Sequence, residues 1–209
     1  GRDGTTNARS YWSLDWTPRP LPNEEAAGAV RETLSRAVER RLVSDVPLGA
    51  FLSGGVDSTI IVGLMAQIMA RPVQTFSIGF ANSPGYDETA FARLASRRFG
   101  TEHTEFIVDP TSIETLHELV SVYDEPFGDS SAIPTRAVSG LTREHVTVAL
   151  TGDGGDELFA GYPRFMGQTI ASRLPSWGVT VGRGIARLLP QAGHVRSPSR
   201  RFVRFMEAA

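Results

Sequence analysis

Cysteine is absent from this 209-residue chain, and lysine is absent too: all 21 basic residues are arginine. Without cysteine there is no disulfide, no thiolate metal site and no cysteine nucleophile. Without lysine there is no Schiff base and no lysine to grip a phosphate. Long hydrophobic runs are also missing. The longest mostly apolar stretch, Thr59–Ala70, falls short of the about 20 residues a membrane-spanning helix needs. The first residues, GRDGTTNARS, are polar and hold no apolar signal core. The chain opens on Gly1 rather than Met, as a piece of a longer protein would.

What is present fits a globular chain. Apolar residues make up 41% and charged residues 21%, too much and too little for a disordered one. At this length folding buries about 70% of the extended-chain surface, enough for one sizeable core. Residues 1–159 hold 13 arginines against 22 acids, a net of −9; residues 160–209 hold 8 arginines against Glu207, a net of +7. A basic tail is one signature of nucleic-acid binding. The plainer reading, preferred here, is a face that meets further polypeptide or solvent.

Residues 1–22 are irregular, with Trp12, Trp16, Pro18, Pro20 and Pro22, and read as a linker. Asn23 is placed to cap a helix whose apolar positions Val30, Leu34, Val38 and Leu42 recur every fourth residue. The pattern then predicts strands over 46–52, 73–80, 102–108 and 146–150. Helices are predicted over 57–70, 88–99 (carrying Phe91, Leu94, Ala95 and Phe99), 111–123 and 132–143, with Gly100 as a C-cap. A further helix is expected after Glu157, and the pattern weakens beyond Pro175. Alternating strands and helices imply an α/β fold, a parallel sheet with helices on both faces. No internal repeat is visible.

SGGVDS, Ser53–Ser58, lies between a buried strand and a helix, where an open α/β sheet binds ligands. Two glycines let backbone N–H groups approach an anion, and the helix N-terminus adds its unpaired donors. Ser53 and Ser58 add hydroxyls. Asp57 repels a bare phosphate, so a bridging cation is implied, and Mg2+ suits carboxylate plus phosphate oxygens. The same residues also read as a plain turn with Asp57 favouring the helix dipole. TGDGGDE, Thr151–Glu157, follows the fourth strand in the equivalent position. It packs three carboxylates among glycines, a repulsion that a cation or a proton relieves. Asp57 and Asp156 are placed to flank Mg2+, leaving Asp153 to act as a base or to position an acceptor. An exposed acidic turn is the alternative.

With both loops in place, the chain resembles the ATP-pyrophosphatase synthetase domain of glutamine-dependent asparagine synthetases. The matching text runs in the family's order over roughly residues 40–166: VPLGAFLSGGVDSTIIVGLMA, TFSIGF, YDETAFARLASRRFGTEHTEF, YDEPFGDSSAIPT and VTVALTGDGGDELFAGYPRF. SGGVDS alone is shared by a broader set of pyrophosphate-loop enzymes; its combination with TGDGGDELFAGY is far more specific. The resemblance implies the adenine-nucleotide α-hydrolase-like fold. It also implies adenylation of aspartate's side-chain carboxylate by Mg-ATP, then displacement of AMP by ammonia. Ser53, Gly54, Gly55, Asp57 and Ser58 would hold pyrophosphate and Mg2+. Phe51, Leu52 and Ile78 would shape the adenosine pocket, with Thr151 and Gly152 near the AMP and Asp156 as second metal ligand. Asp153 would be the catalytic position.

Three departures stand out. Many members have Glu where this chain has Asp153, one methylene shorter. Members usually carry an N-terminal glutaminase domain with a cysteine nucleophile, so residues 1–22 look like the join to that domain and 23–209 like a truncated synthetase domain. The family also places a lysine late in that domain, so the resemblance puts it beyond Ala209 and leads us to expect nucleotide binding but no asparagine synthesis by these residues alone. The implied partners are aspartate, ATP and glutamine-derived ammonia in the cytoplasm, without membrane or nucleic acid; a homodimer stays open. Rival readings are a related amide ligase of the β-lactam synthetase or lasso-peptide cyclase type, a tRNA-modifying pyrophosphate-loop enzyme, and a nucleotide-binding module without turnover. His103, His117, His145 and His194 lack metal-ligand spacing and read as packing or surface residues. Asp124, Glu125, Asp129 and Ser130 form a polar loop that either lines the acceptor pocket or caps the surface. Arg164, after Tyr162, suits a phosphate or carboxylate as well as plain exposure.

Overall fold

The computed structural model describes residues 4, 6, 8–15, 17–80, 88–108, 113–125, 128–129, 131–188 and 203. Expectations for Trp16, Tyr86, Asp87, Ser130 and His194 lie outside them. The described residues before Asn23 form no helix or strand, and Tyr11 and Trp12 are exposed.

The first helix, α1, spans Asn23–Arg41, with Glu24 and Glu25 in its first turn and Arg40 and Arg41 in its last, each favourable to the helix dipole. Asn23 is not its cap, contrary to expectation. Pro22 holds that position, and its carbonyl accepts the N–H of Ala26 at 2.9 Å, with no side-chain bond to the first turn. Proline's fixed φ pre-sets the chain for helix entry here. Of the expected stripe only Val38 is buried. Leu34 and Leu42 pack partly against the core, and Val30 stays exposed.

The sheet follows as β1 (Leu48–Phe51), β2 (Gln74–Phe80), β3 (Glu102–Val108) and β4 (Val148–Leu150). Between them run α2 (Val56–Ile68), α3 (Thr89–Phe99), α4 (Ile113–Tyr123) and α5 (Ala132–Thr142); α6 (Gly155–Phe159), α7 (Pro163–Ala171) and α8 (Ser176–Leu188) come after β4. All pairings are parallel, in the order β3-β2-β1-β4. The chain therefore steps one way from β1 to β3, then crosses back to lay β4 on the other side of β1. Right-handed crossovers put α2 and α3 on one face and α4 and α5 on the other. Side chains agree: Thr75 and Ser77 of β2 bond partners on the α3 side, while Phe76 between them stacks on Phe106 and meets the His145 ring at a tilt.

The core gathers Leu48, Ala50, Leu52, Val62, Leu64, Met65, Val73, Ala92 and Ala95 between the sheet and α2–α3, joined by Val38 of α1. Removing such a side chain costs about 2–5 kcal/mol, from lost transfer energy and the cavity left behind. One detail here differs from expectation. On α3 the buried face is Thr89, Ala92, Ala95 and Ser96, whereas Phe91 and Leu94 are exposed. Ser96 on this face bonds Thr101, the residue that leads into β3. β3 spans the expected 102–108 and is a half-exposed edge strand. Gly100 does cap α3 in the left-handed region, at φ 65°. Among the described residues no helix is long and apolar enough to cross a membrane.

Candidate active site

The sheet order reverses between β1 and β4, so their carboxyl ends open onto one crevice, the place where doubly wound sheets hold ligands. Ser53–Gly55 leaves β1 and Thr151–Gly154 leaves β4, and the structure brings the two loops into contact. A Cβ on Gly152 would sit 2.7 Å from the backbone N of Ser58 and 2.9 Å from the carbonyl carbon of Asp57. A Cβ on Gly155 would fall on the Asp57 carboxylate. The glycines of the second loop are thus what lets it close over the start of α2.

The first loop is internally bonded. The hydroxyls of Ser53 and Ser58 lie 3.0 Å apart, the N–H of Gly55 donates to Ser53 Oγ at 3.2 Å, and Ser58 Oγ donates to the Gly55 carbonyl at 3.2 Å. Gly54 adopts φ 83°, where glycine alone is unstrained. It lies so close to α3 that a Cβ would be 2.5 Å from the backbone of Phe91 and Ala92. Asp57, half-buried in the first turn of α2, makes no ion pair or hydrogen bond among the described residues.

In the second loop Thr151 clasps Asp153: its hydroxyl donates to Asp153 Oδ2 at 2.9 Å and accepts the Asp153 N–H at 3.3 Å. Asp156 is half-buried, with its carboxylate against Gly161. Tyr162 donates to Glu157 Oε1 at 2.6 Å, which holds the Glu157 carboxyl below its ordinary range and raises the Tyr162 phenol. The Arg164 guanidinium stacks 4.3 Å above the Tyr162 ring. Among the described residues no three potential metal ligands cluster, so Asp57 and Asp156 are a pair at most.

A cleft of about 320 Å³ adjoins this junction, lined by Asp57 and Thr151–Gly155 on one side and by Val30, Leu34, Ile60 and Phe159 on the other. Phe51, at the end of β1, and Ile78, two residues before the end of β2, are half-buried. Leu52 is fully buried in the core and its N–H bonds the Phe76 carbonyl at 2.8 Å, so the group it can offer outward is its carbonyl. Sequence reasoning did not find the Tyr162–Glu157 bond or the Val30 and Leu34 wall, and no local signal announces either. The Thr151–Asp153 clasp was readable, since a hydroxyl two residues before an Asp is a recognised turn pairing.

The family model for asparagine synthase matches residues 29–207. A putative glutamine-hydrolysing asparagine synthetase 2 of Methanocaldococcus jannaschii is 43% identical over 155 residues, covering 73% of this chain and 30% of that protein. Glutamine-hydrolysing asparagine synthetase 1 of Bacillus subtilis is 35% identical over 161 residues, 77% of this chain and 25% of its own. An amidase of Penicillium rubens, chyE, is 28% identical over 188 residues, 81% of this chain and 28% of its own. The chain thus spans between a quarter and a third of these relatives. With the crossed-loop geometry in place, these likenesses show that the chain belongs to the asparagine synthase family.

Proposed function

We propose that residues 23–209 are the synthetase part of an ATP-dependent ligase that makes asparagine in the cytoplasm, with residues 1–22 leading from a glutaminase domain that supplies ammonia. The observation that carries this reading is the contact of the two loops at the β1/β4 switch point, Gly152 against Asp57 and Ser58. Pyrophosphate is bound by the N–H groups of Ser53–Gly55 and the start of α2, with the Ser53 and Ser58 hydroxyls beside them. Adenosine lies over Phe51, the Leu52 carbonyl and Ile78, with Thr151 and Gly152 at the α-phosphate. Asp57 and Asp156 suit Mg2+: among the described residues the Asp57 carboxylate has no ion pair and faces an acidic glycine-rich loop, and two carboxylates plus phosphate oxygens and water meet the ion's preferences. When bound, Mg2+ neutralises charge on the phosphates.

The remaining work is positioning and charge placement. An oxygen of the aspartate side-chain carboxylate attacks the α-phosphorus, the bond to the β-phosphate breaks, and pyrophosphate leaves with the electron pair. Ammonia then attacks the acyl carbon, AMP departs, and the nitrogen loses a proton. Asp153, held by Thr151, takes or steers that proton. The test is exchange of labelled pyrophosphate into ATP by the full-length polypeptide carrying this chain. Aspartate should stimulate it; failure to do so contradicts the substrate assignment. The likeness to an amidase favours one second reading, a related amide ligase adenylating another carboxylate, which a substrate screen for AMP release would reveal.

A further inference from the structure

Behind the first loop, on the α3 side of the sheet, runs a polar network that the reaction above does not use. Ser96 Oγ donates to the Thr101 carbonyl at 3.5 Å, and Thr101 Oγ1 donates to Ser96 Oγ at 2.9 Å. The hydroxyls of Thr75 and Thr101 lie 2.8 Å apart, Thr75 Oγ1 lies 3.0 Å from His103 Nδ1, and Ser77 Oγ lies 3.2 Å from His103 Nε2. Thr75, Ser77 and Ser96 are buried. Proton counting sets the directions. With the Thr101 proton spent on Ser96, Thr75 donates to Thr101, so His103 Nδ1 carries a proton and donates to Thr75. Burial favours the neutral ring, and in that Nδ1–H form Nε2 accepts from Ser77.

This network fixes α3 to β2 and β3. Ser96 sits one helical turn beyond Ala92, and the backbone at Phe91–Ala92 is the floor on which Gly54 rests. The same stretch of α3 is tied to β3 a second time, by Arg93 Nε to Glu105 Oε2 at 2.7 Å and Arg93 Nη2 to Glu105 Oε1 at 3.2 Å. We infer that His103 is a positioning residue for the pyrophosphate loop: its neutral ring sets the seat of α3, and α3 sets Gly54. The inference rests on Ser53–Ser58 being that loop. Burial lowers the His103 pKa; Glu105 on its own strand and the Thr75 backbone on β2 oppose this, and Arg93 on α3 reinforces it, while among the described residues β2 also faces it with the uncharged hydroxyls of Thr75 and Ser77. Protonation would put a hydrogen on Nε2 and force the buried Ser77 hydroxyl to turn away.

Coupling between two equilibria is reciprocal. If only the neutral ring seats the loop well, bound Mg-pyrophosphate must lower the His103 pKa. A simple electrostatic field from the bound anion would raise it. The experiment follows the histidine ring resonances of the 209-residue chain by NMR through a pH titration, with and without Mg-pyrophosphate. The expected result is a His103 pKa that falls on binding. In parallel, His103→Phe should weaken Mg-pyrophosphate binding about five-fold or more with the fold intact by circular dichroism, and His103→Asn, which keeps a partner for Thr75, should recover part of the loss. A His103 pKa that rises or stays put while Mg-pyrophosphate binds overturns the inference and leaves the loop assignment standing. No binding at all by the unsubstituted chain contradicts the loop assignment, and this inference with it.

Discussion

Replacing Gly152 with alanine is the sharpest perturbation of the loop junction. The added Cβ would stand 2.7 Å from the Ser58 N, 2.9 Å from the Asp57 C and 3.0 Å from the Asp57 Cβ. Ordinary contacts lie at about 3.5–4.0 Å, so the β4 loop and the start of α2 must part by roughly 0.5–1 Å. Two of the three opposing atoms are backbone at the first turn of a helix and cannot swing aside. Overpacking of this kind costs about 1–3 kcal/mol, which for a chain of this length lowers the melting temperature by roughly 2–12 °C. The functional loss should be larger in proportion, because about 1 Å of misplacement costs on the order of 100-fold where groups must be positioned. Calorimetric titration of Mg-ATP and a thermal melt read the two effects. Gly128→Ala serves as the control, since nothing lies within 4 Å of a Cβ there. A Gly152→Ala chain that melts with its parent and binds Mg-ATP within about two-fold of it would refute the loop-contact reasoning.

Asp57→Asn removes the charge but keeps the shape, so Mg-dependent ATP binding should weaken about ten-fold or more while the melting temperature holds; titrations with Mg2+ and with EDTA check it. Thr151→Val frees the Asp153 carboxylate and removes a hydroxyl beside the α-phosphate, so ammonia-dependent turnover of the full-length polypeptide should fall by more than ATP affinity does, as steady-state kinetics against each substrate would show. Because His103 has a lowered pKa in the folded chain, the unfolded chain binds the extra proton first as pH drops below about 6.5. Denaturant unfolding should therefore show stability falling as pH goes from 7.5 to about 5.5, with a weaker fall in His103→Asn.

Much of the fold was legible because its signals are local. The span of β3 follows from its flanking Gly100-Thr101 and its run to Val108, and the Gly100 cap follows from glycine's access to positive φ. The positions of the two glycine-rich loops after β1 and β4 were legible for the same reason, since glycines and carboxylates immediately after apolar strands are local signals. What failed depends on partners distant in sequence. Phe91 and Leu94 look like core, yet α3 turns Thr89, Ala92, Ala95 and Ser96 inward, where Ser96 meets the Thr101 hydroxyl just before β3 and Thr101 in turn meets Thr75 of β2. Asn23 looks like a cap, yet Pro22 already shapes the helix entry. The burial of Leu52 and the wall that Val30 and Leu34 give the cleft follow from how β1 and α1 pack, which one sequence read alone does not encode.

Mg-ATP binding to the 209-residue chain, measured with and without EDTA and again in Asp57→Asn and Gly152→Ala, tests the central claim most directly. The account predicts saturable binding that needs Mg2+ and is weakened by both substitutions. Binding equally strong without Mg2+, or indifferent to both loops, would contradict it.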